Sequence, residues 1–405
     1  MASELTDVAY NPVIGSDGCH YFVVPYTNGS GPTNRAYLKL VKYNPGNGSI
    51  SNIAVDTSSN GDGDIDAYCV AINPAKTVIY IYWSGLTSAA SKRACYNTYT
   101  IATSILGTAG TFATALSSTE YTCFCTCVDS DGTIYLAAKE GAASNGLKVY
   151  KSTNGTTYTT DTTIVTTTAS SACKIIINQA LGISLVYDNS GLYVKEKTGG
   201  YWGPAKLILA TKTYYDIVAA PDDDYIIFAV SAVMSAYKRN NGNWDLVKSS
   251  IVTATASPFS TTVTPSGTIL LVYAGSSNVS MVEGSGSTWS AASILSATET
   301  PSILSLSRSD ISNISLWAKV GNVSWQTYKI TPLLPNATYP LAIRTVDDNG
   351  QAIVYQSSES IITPDYKPFE GTPPARGLIK SGQVEIEAYG SIQLSNIETI
   401  IKPIY

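Results

Sequence analysis

Charge is the scarcest commodity in this sequence. Only 14% of its 405 residues are Asp, Glu, Lys or Arg, against about 25% in an average soluble domain. A coiled coil needs charged helix faces, and a disordered chain needs high net charge with little apolar content. A hydrophobic fraction of 44% with a net charge of −5 excludes both. There is one histidine, His20, so the commonest acid–base group is nearly missing. The 25 Lys and Arg are scattered and form no basic stripe of the kind nucleic acid requires, so no nucleic-acid partner is expected. No uninterrupted run of about 18 apolar residues occurs, so no membrane insertion is expected. Met1–Asp7 lacks the basic and apolar regions of a secretory signal peptide.

Cysteine is present but in an odd number, seven. Cys123, Cys125 and Cys127 alternate, so on a strand they share one face, where neighbours two apart do not easily reach disulfide geometry. The CxxC knuckles of a zinc site are absent. These residues read as small core hydrophobes in a chain made in a reducing compartment.

In place of charge stand Ser, Thr, Asn, Gly and 28 Tyr. Short apolar runs recur, bounded by turn residues, with anchors at Tyr21, Ile79, Ile134, Ile183, Ile226, Ile269 and Ile314. Their spacings are 58, 55, 49, 43, 43 and 45 residues. Each unit has one order: a strand before the anchor, the anchor strand, a third strand, then a Gly turn and an aromatic opening a fourth. Strand residues are β-branched and aromatic, Gly, Asn and Asp punctuate them, and no amphipathic helical period is sustained over about 11 residues. Four strands per unit at a period in the forties is what a β-propeller blade requires. The expected fold is all-β: a seven-bladed β-propeller over residues 1–330. From 331 the prolines at 332, 335, 340, 364, 368, 373 and 374 break the repeat. Residues 331–405 then read as a small β module or docking tail. Its expected hairpins turn at Asp347–Gly350, an Asn-Gly signal, and at Tyr389-Gly390. With about 75 residues and few large apolar side chains it is not expected to be stable alone.

The turn-plus-aromatic element recurs as Asn154-Gly155-Thr156-Thr157-Tyr158, then at Trp202, Trp244, Trp289 and Trp325. One role for these rings is packing between neighbouring blades; the other is a set of sugar platforms, one per blade crevice. Ser152-Thr153-Asn154-Gly155-Thr156-Thr157-Tyr158 resembles the Asp-box (BNR) hairpin of sialidase-like propellers, Ser-x-Asp-x-Gly-x-Thr-Trp. It is one residue shorter, with Asn154 for Asp and Tyr158 for Trp. The resemblance covers roughly residues 140–330. It implies a fold, since in that family the Asp-box is a structural turn remote from catalysis.

Catalytic groups are scarce. Glycoside hydrolysis needs paired carboxylates, and a sialidase-like site adds three clustered arginines. The six arginines are Arg35, Arg93, Arg239, Arg308, Arg344 and Arg376; the last two lie beyond the propeller, and the others occupy different slots. Asn60-Gly61-Asp62-Gly63-Asp64-Ile65-Asp66 places oxygen ligands at alternate positions, as a calcium loop does, but the bidentate Glu at the twelfth position is missing. Asp62, Asp64 and Asp66 therefore read either as a solvated acidic loop or as a Ca²⁺ site; no other cofactor is expected. His20 reads as a satisfied strand residue. No nucleophile elbow, HExxH or P-loop occurs.

These readings imply a non-catalytic structural or binding propeller rather than an enzyme. A Tyr- and hydroxyl-rich surface suits contact with protein or glycan. Reduced thiols without a signal peptide point to a phage or viral virion component on a tail, fibre or capsid surface. Its partners would be other virion proteins or a host-surface glycan, with oligomerisation through 331–405. The alternatives are a soluble carbohydrate-binding lectin propeller and a sialidase-like glycosidase.

Overall fold

The computed structural model describes residues 12–27, 36–44, 47, 49–56, 67–88, 91–117, 121–140, 146–165, 172–178, 182–211, 214–230, 233–240, 242–253, 259–264, 267–275 and 278–296. Beyond these it describes the strands at 301–308, 314–320, 324–330, 338–346, 352–362, 377–379 and 384–386. Every regular element among them is a strand.

Sheets follow one another along the chain, each an antiparallel meander paired to its sequence neighbours. The first spans residues 13–56, the second 68–117, the third 121–163, the fourth 173–209, the fifth 214–253 and the sixth 259–296, each with four or five strands. A three-stranded sheet follows at 301–330. The first strands of successive sheets lie side by side: Tyr121–Val128 touches both Tyr68–Ile72 and Cys173–Ile177, and Tyr214–Ala220 touches Cys173–Ile177 and Phe259–Val263. Val13–Ile14, the first strand of the first sheet, also touches Pro301–Arg308. The chain is thus an all-β array of propeller-like blades.

The anchors were legible because of where they sit. They fall in the second strand of each sheet, which in the second to fifth sheets is covered on both faces by neighbouring sheets. Ile183–Asp188 and Ile269–Ala274 are buried at every residue. A strand covered on both sides reads as a continuous apolar run instead of an alternation. The core is accordingly a series of layers between sheets. Tyr21, Val23, Ile79 and Ile81 fill the layer between the first and second, and Leu185, Val149 and Ile175 that between the third and fourth. Outermost strands are open, as in Thr159–Thr163 and Asn243–Thr253, and there Thr, Ser and Asn replace the missing charge.

One detail differs from the sequence expectation. The fourth strand is split in the second, fourth and sixth sheets, as at Tyr201–Trp202 and Lys206–Leu209, both of which pair with Leu192–Thr198. In the tail, Val384–Ile386 pairs with Gly377–Ile379; the hairpin expected at Tyr389-Gly390 lies outside the described residues. The Asn-Gly hairpin forms as expected, with Val346 opposite Ala352.

Candidate functional site

The Asp-box-like turn is built by one hydroxyl and one amide. Ser152 is buried, and its Oγ accepts from Gly155 N at 2.9 Å and Asn154 N at 3.4 Å. Asn154 Oδ1 accepts from Thr156 N at 2.9 Å and Thr157 N at 2.8 Å. The amide oxygen thus does the job expected of the carboxylate. Gly155 adopts φ +73°, and a Cβ there would lie 2.4 Å from Tyr80 Cε1 in the second sheet; no side chain fits. Tyr96, also of the second sheet, donates its hydroxyl to Thr156 O at 2.7 Å. The turn therefore docks its sheet onto the preceding one.

The same position does the same work farther along. Trp202 donates Nε1–H to Asp161 of the third sheet at 2.6 Å. Asp161 also receives Lys197 Nζ at 2.6 Å, and that ammonium lies 4.9 Å from the Tyr135 ring centre. Trp289 donates to Gly286 O at 3.1 Å, while Gly286 N donates to Tyr225 of the fifth sheet at 2.9 Å. Trp244 packs into the layer between the fourth and fifth sheets; its Nε1 is buried without an acceptor among the described residues. All three indoles are half-buried, so each keeps an accessible portion beside its packing contact. The side chain of Trp325 lies outside the described residues, as do Asp62, Asp64 and Asp66. Among the described residues, no group of His, Cys, Asp or Glu is arranged to hold a metal ion.

Beside the turn of the third sheet is a shallow cleft of about 260 Å³ lined by Lys151, Ser152, Thr153, Asn154, Thr157 and Thr159. Its lining residues are Ser, Thr and Asn with a single lysine.

The described carboxylates of the sheet boundaries are committed to partners. Glu196 pairs with Arg239 Nε at 2.5 Å and Lys206 Nζ at 3.2 Å. Asp216 receives Thr261 N and Oγ1, each at 2.9 Å, and faces Lys174. Asp17 holds Lys42 and the Tyr21 hydroxyl, each at 2.8 Å. Burial works to raise the Asp17 pKa, but these bonds outweigh it and hold it below the usual carboxylate range. Asp131 is also lowered, by the Thr133 backbone N–H and hydroxyl. A general acid needs the opposite shift. His20 is buried against Tyr43, and desolvation pushes its pKa down to about 4.

Sequence reasoning missed a thiol cluster. Cys173, on the first strand of the fourth sheet, places Sγ 2.9 Å from Cys123 Sγ and 3.0 Å from Cys125 Sγ on the first strand of the third. Cys173 N also donates to Cys123 Sγ at 3.1 Å. Burial pushes the Cys125 thiol up to about 11, although its bond with Cys173 opposes this. Lys174 counteracts weakly at Cys123 and Cys125. The alternation at 123–127 was readable; the third partner, 48 positions beyond Cys125, is supplied only by the packing of neighbouring sheets.

No protein-family model matches the chain, and no curated protein does. Solved structures do match, and the three described here are 10–12% identical to this chain. A polysaccharide lyase of family PL25, an ulvan lyase bound to -[GlcA(1-4)Rha3S]-, superposes with a TM-score of 0.53 at 11% identity, over 82% of this chain and 94% of that one. BBS1N, solved in complex with ARL6DN, gives 0.54 at 12% identity, over 81% and 94%. A Hadza microbial sialidase gives 0.46 at 10% identity, over 73% of each chain. The first two support the fold and nothing more: a lyase and a partner-binding protein share it, and function lives in sites grafted on a fold.

Proposed function

We infer that this chain is a non-catalytic binding propeller of seven blades, working as a structural component of a virion surface, on a phage tail, fibre or capsid. The observation that carries the choice of binding over catalysis is the commitment of the carboxylates. Glu196, Asp161, Asp216 and Asp17 are spent on ion pairs and hydrogen bonds, most of them between sheets, and the two lowered carboxylates are shifted away from acid catalysis. Support for the blade number comes from the sheet at 301–330 and its contact with Val13–Ile14, which would close the ring. The hydroxyl- and Tyr-rich surface suits protein contact, and the free thiols fit synthesis in a reducing cytoplasm before work outside it. Residues 331–405 would serve as the attachment segment. The test is mass spectrometry and imaging of purified particles from the source, with and without residues 331–405. Presence in particles and loss on deletion are expected; absence from particles ends the virion reading.

A second reading, a glycan-binding propeller, is favoured by the Ser-, Thr- and Asn-lined cleft at Lys151–Thr159 and by the accessible portions of Trp202, Trp244 and Trp289. A glycan array with the full chain tests it, and no binding to any glycan class counts against it. Turnover of fluorogenic glycosides, lost on substituting a carboxylate, would overturn the non-catalytic reading itself.

A further inference from the structure

The geometry points to a disulfide site between adjacent sheets, in which Cys173 is oxidised by a low-molecular-weight disulfide to a bond with Cys123, and Cys125 is the alternative partner. Three features carry it. The Cys173 sulfur lies 2.9 and 3.0 Å from the two others, inside ordinary sulfur contact and about 0.9 Å from a bond of about 2.05 Å. A shared tetrahedral metal is a poorer fit, because metal–sulfur bonds of about 2.3 Å hold sulfurs roughly 3.8 Å apart. Cys123 and Cys125 are half-buried residues and Cys173 is a buried one, so a reagent comes to the first two sooner. The bond with Cys173 at Cys123, and burial at all three, raise the thiols and keep them mostly protonated, which makes the exchange slow and faster as pH rises.

The step balances as thiol–disulfide exchange. The Cys123 thiolate, which accepts the Cys173 N–H at 3.1 Å, attacks one sulfur of oxidised glutathione. The S–S bond of the reagent breaks, a mixed disulfide forms and one glutathione thiolate leaves. Deprotonated Cys173 then attacks the Cys123 sulfur and expels the second glutathione. The two protein thiols lose two electrons and two protons, and the reagent gains both as two thiols. The product ties the first strand of the third sheet to that of the fourth, closing a loop of about 50 residues. This inference is independent of what the propeller binds.

The test uses the full chain, purified reduced, then incubated with oxidised glutathione in excess at mildly alkaline pH. Acid quenching, alkylation in denaturant and peptide mass spectrometry follow. A Cys123–Cys173 or Cys125–Cys173 linked peptide is expected, with a rise in Tm of roughly 5 °C. C173S abolishes the link and leaves Tm insensitive to oxidant, while C123S redirects pairing to Cys125. If C173S fails to fold, C123S and the untouched chain still decide the matter. Seven alkylated thiols after oxidation, or a stoichiometric bound metal with no linked peptide, overturns the proposal.

Discussion

The hydroxyls of Tyr82 and Tyr158 meet at 3.0 Å across the boundary between the second and third sheets. Tyr158 already donates its hydrogen to Gly155 O at 3.1 Å, so Tyr82 must donate to Tyr158. The two tyrosines are therefore not equivalent. Tyr158→Phe strands the fully buried Tyr82 hydroxyl and should cost about 1–3 kcal/mol, whereas Tyr82→Phe removes a donor from an oxygen that keeps its other bond and should cost about 1 kcal/mol. Urea unfolding of both variants and the double variant checks this; equal single costs would refute the donor assignment.

The turn itself should respond with opposite signs. Gly155→Ala places a methyl group in left-handed backbone and against Tyr80, and should destabilise by about 2 kcal/mol or more. Asn154→Asp gives the backbone amides of Thr156 and Thr157 a charged acceptor and should stabilise by about 0.5–1 kcal/mol. Thermal melts of the two variants against the parent are the measurement.

Lys197 and Asp161 form a buried pair, their side chains 7% and 14% exposed. Asp161→Ala leaves the ammonium without its partner and should cost about 3–5 kcal/mol, while the double change Asp161→Leu with Lys197→Met should cost much less. A double-mutant cycle showing simple additivity would rule out the coupling.

His20 sets a pH dependence. Its pKa falls from 6.5 unfolded to about 4 folded through desolvation, so between those values the unfolded state binds the extra proton. Stability is then full above pH 6.5, declines as pH falls toward 4 and is flat below; the total is about 3 kcal/mol. Asp17, lowered in the fold, adds its own loss only below its unfolded pKa of 3.8. With one histidine in the chain, its ring resonances give the folded pKa directly by NMR. Unfolding of His20→Leu should show a flatter profile from pH 4 to 6.5.

The sequence by itself determined the repeat. Anchors such as Ile134 and Ile269 are readable because a strand covered on both faces must be apolar at every position, and Gly155 because its turn demands positive φ. The low charge and the single histidine likewise set the character of the surface and the scarcity of acid–base groups. The site was less legible. That Trp202 is held by Asp161, that Tyr96 caps the turn of the next sheet, and that Cys173 completes a thiol cluster with Cys123 and Cys125 were decided only by tertiary structure. Each of these contacts joins residues of different sheets, about 40 to 60 positions apart. Local periodicity fixes which face a side chain takes, but the stagger between two packed sheets chooses its partner. The layers between sheets are where this chain's chemistry was decided.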